Sequence, residues 1–470
     1  MFKKGRRIIK RILLILIVFL ICSLVVLPAF QKGISEAEMT NTSIYPKNLG
    51  KSNERVLCID NNVDALKWRL RIIEEAKENL IFTTFSFVDD ESGTDIMSAL
   101  HAAAERGVHV KILVDGVSNF LYLTDSDCFR ALSTTNNVEV KIYNPIDLAK
   151  LWRVNYRMHD KYIIADNTVY MLGGRNTKNL SLGDYQDKMD IDRDLVVYGS
   201  DNNPGRSLFQ VKAYFDRVWN LEATEKYNHP ISSDVERATA SNKLSLHYEE
   251  LKKKYKDAFT KTDWENSTAE TNGVLLLTNE IEAENKAPVL WKDLINIMEN
   301  GKSVIAQTPY IMCNEMMYTD LASVANKTES FDIITNSVET GANICGTADY
   351  MNQKDNIYSI GADLCEYFGD KSTHTKSIVV DDNISVIGSF NFDMRSAYLD
   401  TEMMLVVDSE GLNKHLRELD KGYMENSRQI LADGAGTLIP NGLVEQELNF
   451  GEKIVKDVLR VVTSPLRHLL

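Results

Sequence analysis

Residues 159–176 read HDKYIIADNTVYMLGGRN, and residues 374–391 read HTKSIVVDDNISVIGSFN. In both stretches a His is followed by Lys two places on, Asp seven, Gly fourteen and Asn seventeen. The intervening Tyr162, Ile163 and Ile164, and Ile378, Val379 and Val380, are β-branched or apolar, so each motif is predicted to lie on a strand. Each strand leads to a turn, at Asp166-Asn167 or Asp381-Asp382-Asn383. Side chains alternate along a strand, which puts His159 with Lys161, and His374 with Lys376, on one side. An imidazole and an ammonium held together suit an anion rather than a metal ion, because lysine repels cations and offers no lone pair. The next strand returns through Gly174 or Ser389, small residues that let backbone approach a ligand, and Asn176 and Asn391 add amide donors.

Further along each copy an acid precedes an apolar strand: Asp192 before Leu195-Val196-Val197, and Glu402 before Leu405-Val406-Val407. A carboxylate bound to one ring nitrogen fixes the tautomer of a His and raises the basicity of the other nitrogen, as a nucleophile or proton carrier requires. Asp194 is an alternative for that role in the first copy. A single HxKxxxxD is a weak signal. Two copies in phase, each with its Gly, Asn and downstream acid, are a strong one. The other histidines (His101, His109, His229, His247, His415 and His468) are read as ordinary core or surface residues.

The repetition extends beyond the motifs. Leu66, Leu70 and Ile73 share a helical face ahead of the strand NLIFTTFSF; a second helix from Thr94 carries Ile96, Leu100 and Ala103, stops at Gly107 and is followed by VHVKILVDG. In the second half Pro288 begins a helix with Leu290, Leu294 and Ile297, Gly301 ends it, and KSVIAQTPYIM and FDIITNSV supply the strands. Helices alternating with short apolar strands indicate an α/β fold. The organisation expected is one repeat over residues 56–220, a charged helical linker over 221–272 and a second repeat over 273–440, a pattern of duplication.

Six cations within residues 1–11 precede an uncharged run over 12–30, long enough to span a bilayer with its N-terminal flank in the cytoplasm. The run is longer than that of a secretory leader, no small-x-small cleavage site follows it, and Cys22 lacks the small residues that precede a lipidated cysteine. One uncleaved transmembrane helix is expected, with the body on the extracytoplasmic side of the cell membrane. Without those six cations, 47 Lys and Arg face 67 Asp and Glu, a poor balance for neutralising nucleic-acid phosphates. The cysteines show no CxxC spacing and read as free thiols. The tail, residues 441–470, mixes apolar residues with Lys453, Lys456, Arg460 and Arg467, which suits either a lipid surface or packing on the body.

The paired motifs resemble those of the phospholipase D superfamily, whose duplicated HxKxxxxD is followed by a GG or GS element and Asn. The phrases TPYIMCNEMM, GADLCEYFGDKSTHTKS and GSFNFDMRSAYLDTEMMLVV are most similar to the bacterial cardiolipin synthases. The resemblance covers about residues 56–440. It implies two similar α/β/α sandwich halves related by a pseudo-twofold axis, with both motifs in one pocket. It also implies phosphatidyl transfer through a phosphohistidine without metal or other cofactor. On that pattern His159 is the nucleophile and His374 the acid/base, the reverse remaining open by symmetry. Lys161, Lys376, Asn176 and Asn391, with Gly174 and Ser389, hold the phosphoryl group. Asp166 and Asp381 complete the catalytic motif, although their turn positions favour a structural part. The substrates implied are phospholipids, phosphatidylglycerol and in some members phosphatidylethanolamine, with no nucleic acid. A hydrolytic phospholipase D, a phosphodiesterase or nuclease, and a non-catalytic membrane scaffold are the rivals.

Overall fold

The computed structural model describes Leu14 and residues 18–33, 52–199, 206–229, 231, 233–432, 436–440 and 442–470. Two nine-stranded sheets form its frame. In the first, the order is Ala269–Glu270, Arg55–Ile59, Asp194–Tyr198, Val169–Gly173, Tyr162–Ala165, Asn79–Thr84, His109–Asp115, Val138–Tyr143 and Thr224–Lys226. The second runs Gly273–Thr278, Met403–Asp408, Ile384–Gly388, Ser377–Val380, Ser303–Gln307, Ser330–Asn336, Asp363–Tyr367, Ser427–Ile430 and Thr437–Leu438. From Arg55–Ile59 and Gly273–Thr278 onward the two orders correspond strand for strand, and the extra edge strand is on opposite ends. The duplication read from two motifs therefore extends through both sheets.

Each sheet has an outer helical layer and shares an inner one. Helices Asn62–Glu75 and Glu91–Glu105 bury Leu66, Leu70, Ile73, Ile96, Leu100 and Ala103 on the first sheet; Val289–Glu299 and Glu315–Lys327 do the same on the second. The cap residues explain where these helices begin: Asn61 accepts from Val63 N and Asp64 N, and Asn314 from Met317 N. Asp90 accepts from Gly93 N, which starts the second helix at Glu91 rather than at Thr94 as expected. Between the sheets one core joins Leu113, Ile164 and Val197 to Ile334, Val379 and Leu405, along with Phe215 and Leu416 of helices Arg206–Trp219 and Glu410–Glu425. The halves are consequently one packed body.

Residues 221–272 are not a loose connection. Thr224–Lys226 and Ala269–Glu270 are edge strands of the first sheet, and helix Asp234–Lys254 buries Ala240, Leu244, Tyr248 and Leu251. That stripe is only four residues long in a charged helix, too thin a periodic signal to separate a packed helix from a linker.

Residues 12, 13 and 15–17 of the expected anchor lie outside the described residues, as do 1–11. Among the described residues no helix is long and apolar enough to cross a membrane. Cys22–Val26 forms a π-turn and Leu27–Ala29 a 3-10 turn containing Pro28, which has no N–H to continue a helix. Carbonyls of this segment accept from the body: Leu24 O from Asn155 Nδ2, Val25 O from His468 Nε2, and Leu27 O and Phe30 O from Asn285 Nδ2.

Candidate active site

The motif strands are central in their sheets. Tyr162–Ala165 is antiparallel to Asn79–Thr84 and Val169–Gly173, and Ser377–Val380 to Ser303–Gln307 and Ile384–Gly388. Each His sits just before its strand, where the chain crosses to the other half. Met158 bridges Thr401 and His159 N donates to Thr401 O (3.2 Å); Thr373 pairs with Ile191 and His374 N donates to Ile191 O (2.6 Å). The next residues on the opposing chains are Glu402 and Asp192. His159 Nδ1 is 2.9 Å from Glu402 Oε1, and His374 Nδ1 is 2.6 Å from Asp192 Oδ2. The two acids expected to orient the histidines do so across the interface: each half carries the carboxylate for the other half's imidazole. Asp194 has a different task, since its Oδ2 accepts from Arg69 (2.9 Å) and Arg175 (3.1 Å).

The two pairs differ in their surroundings. Glu402 is fully buried and accepts from the hydroxyls of Ser389 and Ser396. Burial pushes its carboxyl up to about 8 against the pull of Lys161 and those hydroxyls. Asp192 is also buried, which by itself would raise it, but the charges of Lys376, 3.7 Å away, and His374 hold it well below the usual carboxylate range. Burial and Lys376 lower His374 to about 4 although Asp192 pulls it up, and burial with Lys161 takes His159 well below its ordinary value. Both imidazoles are therefore neutral at pH 7, with Nδ1 of each facing its acid and, in His374, also Lys376 Nζ at 2.7 Å.

Lys161 and Lys376 are buried and donate back to the carbonyls of His159 and His374, which keeps each ammonium beside its imidazole. Burial lowers Lys161 to about 7 and Lys376 in the same direction, so both ammonium groups lack full compensation for the water they have lost. A bound phosphodiester anion would supply it. Asn176 Oδ1 accepts from Ser86 N (3.2 Å), and the buried Asn391 Oδ1 has no hydrogen-bond partner among the described residues. Unmet polar demand of that kind is met in native proteins by ligand or water. Phe85 sets its ring edge against His159 (5.1 Å) and closes one side. Among the described residues no group of three or more His, Cys, Asp or Glu is placed to hold a metal.

Four of the expected site residues contact groups other than the imidazoles. Asp166 and Asp381 stand at the far ends of the motif strands in left-handed turn conformation (φ 53° and 47°). Asp166 accepts from the backbone N–H of Lys77, Glu78 and Asn79, and Asp381 from those of Lys302 and Ser303. They clamp a helix–strand junction and touch neither His. Ser389 spends its hydroxyl on Glu402 and accepts from Met403 N (3.0 Å). Gly174 lies where any Cβ would collide with the Asp192 carboxylate, so its smallness makes room for that acid. The GG and GS elements thus both contact the orienting acids. Spacing gave no sign of Ser396, nor of Arg193, whose buried guanidinium joins the halves through Asp60 (3.0 Å), Ser377 Oγ (2.8 Å) and Asp420 (3.2 Å). These partners come from three distant segments, and no local pattern connects them.

A sequence profile described as "Cardiolipin synthase, PLD-like domain" matches residues 70–219 and 294–421, more than half of the chain and both motifs. Cardiolipin synthase C of Escherichia coli K12 is 25% identical over 409 residues, covering 78% of this chain and 84% of its own. An uncharacterized protein of Helicobacter pylori J99 is 26% identical over 439 residues, 86% of this chain and 87% of that one. Among solved structures, phosphatidylserine synthase of Haemophilus influenzae superposes with a TM-score of 0.61 over 93% of this chain and 99% of its own at 15% identity, a likeness of fold. With two matching sheets, paired HxK motifs whose acids are exchanged between the halves and a profile that spans both, this chain belongs to the phospholipase D superfamily, in its cardiolipin synthase-like family.

Proposed function

We propose that the chain is a membrane-anchored phosphatidyltransferase that works through a phosphohistidine, most specifically a cardiolipin synthase. The observation that carries the reading is the exchange of orienting acids between the halves, which places two Nδ1-anchored imidazoles and two buried lysines within reach of one another's charge. In the first step His159 Nε2 attacks the phosphorus of a phosphatidylglycerol. A P–N bond forms, the P–O bond to glycerol breaks, and His374 Nε2–H protonates the departing alkoxide. In the second, His374 takes the proton from a hydroxyl of a second phosphatidylglycerol, whose oxygen displaces His159 and yields cardiolipin. Water in place of that hydroxyl gives phosphatidic acid.

The unequal acids support this division of labour. The ionised Asp192 favours protonation of His374, and the substrate's own negative charge favours it further, so His374 is assigned as the imidazole that carries the proton. Glu402, held near neutrality, leaves His159 an uncharged nucleophile. Lys161 and Lys376, with the amide groups of Asn176 and Asn391, offset the charge developing on the phosphoryl oxygens. The apolar run over 12–30 would hold the extracytoplasmic body at its lipid substrate.

Purified full-length protein in phosphatidylglycerol vesicles, with and without phosphatidylethanolamine, is expected to make cardiolipin, and His159→Ala or His374→Ala to abolish it. Phosphatidic acid as the sole product with alcohol acceptors in excess would replace the synthase reading with a hydrolytic one.

A further inference from the structure

The C-terminal helix Phe450–Thr463 is packed inside out. It starts at a capping box formed by Asn449 and Glu452 and ends in the 3-10 turn Ser464–Leu469. Its buried positions are polar: Lys456, whose Nζ donates to Val338 O (2.7 Å) and Thr347 Oγ1 (3.2 Å), and Thr463. Arg460 and Arg467 extend the attachment to Asn352 and Asp349. Phe450, Ile454, Val455, Val458, Val461 and Val462 are 48% to 80% exposed. At 3.6 residues per turn these six occupy an arc of about 140°, opposite Lys456 and Thr463, with no charged residue inside it. A globular helix normally buries such a stripe; this one is fixed by its polar side with the stripe turned outward.

Two connections say what covers it. The turn after the helix grips the apolar N-terminal segment, His468 Nε2 meeting Val25 O at 2.7 Å, and that segment itself exposes Ile21, Val26, Leu27 and Phe30. The same turn is joined to the catalytic pocket. Arg395 donates to Leu469 O (3.1 Å) and Asn155 O (2.9 Å) and pairs with Asp400 (3.0 Å). Asn155 precedes His159 by four residues, and Asp400 precedes Glu402 by two. The helix that carries the exposed stripe is thereby tied to the end of the membrane-length apolar run and to the two segments that carry one His–carboxylate pair, His159 and Glu402.

We infer that the apolar face of helix Phe450–Thr463 is a bilayer-docking surface, which lies in the headgroup and acyl boundary beside the N-terminal segment and sets the catalytic pocket against the leaflet that supplies its substrate. Amphipathic helices with apolar faces of this width bury them several ångströms into that boundary. The inference deepens the phosphatidyltransferase reading and rests on it for the nature of the substrate, but its test does not require turnover.

Full-length Cys22→Ser protein carrying Val458→Cys, labelled with an environment-sensitive fluorophore, would be reconstituted in phosphatidylglycerol–phosphatidylcholine vesicles with or without brominated acyl chains. The same label at Glu250→Cys, on the exposed face of helix Asp234–Lys254, is the comparison, and the labelled Cys22→Ser parent sets the background. Quenching by brominated lipid at position 458 and none at 250 is the expected result, even in a protein that makes no product. Quenching at neither position or equally at both overturns the inference, as does self-quenching at 458 that rises with protein concentration in detergent, the mark of a second copy on this face. The Val458→Asp/Val461→Asp variant is expected to lose at least about tenfold in turnover of vesicle substrate while keeping its rate on a soluble short-chain phosphatidylglycerol, because a carboxylate is costly at that depth. Equal loss on both substrates would also overturn it.

Discussion

Replacing Asp192 by Asn keeps the shape of the side chain and its acceptance from Arg193 N, and removes the charge 2.6 Å from His374 Nδ1. A buried hydrogen bond to a charged group contributes about 1.5–3 kcal/mol. At about 1.4 kcal/mol per pKa unit this lowers the imidazolium of His374 by about one to two units. The same loss slows any step in which His374 must carry a proton by about 10- to 100-fold. A donor with a good leaving group, such as a nitrophenyl phosphodiester of the same lipid, departs without protonation. Asp192→Asn should therefore release nitrophenol in the first turnover at close to the parent rate, while its release of glycerol from phosphatidylglycerol falls by one to two orders of magnitude. Glu402→Gln, which disturbs the partner of the proposed nucleophile His159, should slow both donors alike. Rapid-quench single-turnover measurements with the two donors give all four rates. If Asp192→Asn slows both equally, or Glu402→Gln spares the nitrophenyl donor, either the crossed pairing or the assignment of roles is wrong.

Ser389→Ala or Ser396→Ala removes one hydroxyl from Glu402, and each should cost about 1 kcal/mol, a several-fold fall in kcat, with KM unchanged in a vesicle assay. Asp166→Ala leaves three backbone N–H groups without their acceptor; thermal melts should show a destabilisation of about 2 kcal/mol, with turnover per folded molecule preserved. Stability should respond to pH in opposite senses at the two acids. Asp192 has a folded value below its unfolded one, so its contribution is present above about pH 4 and lost on further acidification, whereas Glu402 is raised to about 8, so the native state loses stability as pH rises from about 4 to 8. Melts across this range should show the acid limb flattened in Asp192→Asn and the neutral slope flattened in Glu402→Gln.

Much of this was legible in the chain because strands and helices announce themselves by local period. Ile163 and Ile164, or Leu66, Leu70 and Ile73, carry that signal within a few residues, and the in-phase motifs extended it to a duplication. The orienting acids were also found by alignment of the halves. What local pattern does not encode is which partner a side chain meets across an interface. Asp192 lies much nearer in sequence to His159 than to His374 and serves the latter; Ser389, placed where the motif suggests a phosphate contact, turns to Glu402. The helix over 234–254 was obscured for a related reason: its four buried residues are diluted by lysines and glutamates on the solvent side.

The crossed pairing also couples the two copies, which differ in detail around their histidines. Each imidazole needs one carboxylate at Nδ1 and one lysine beside it, and each copy provides a lysine for itself and a carboxylate for its neighbour. A change in one copy's acid therefore retunes the other copy's histidine. In the first copy Gly174 makes room for Asp192 next to Lys376, which keeps it ionised; in the second, Ser389 and Ser396 surround the longer Glu402, which burial keeps near neutrality. From motifs of identical spacing, this gives one imidazole beside an ionised carboxylate and one beside a carboxyl raised to about 8. The asymmetry that the proposed two-step transfer calls for thus resides in the acids and their immediate neighbours.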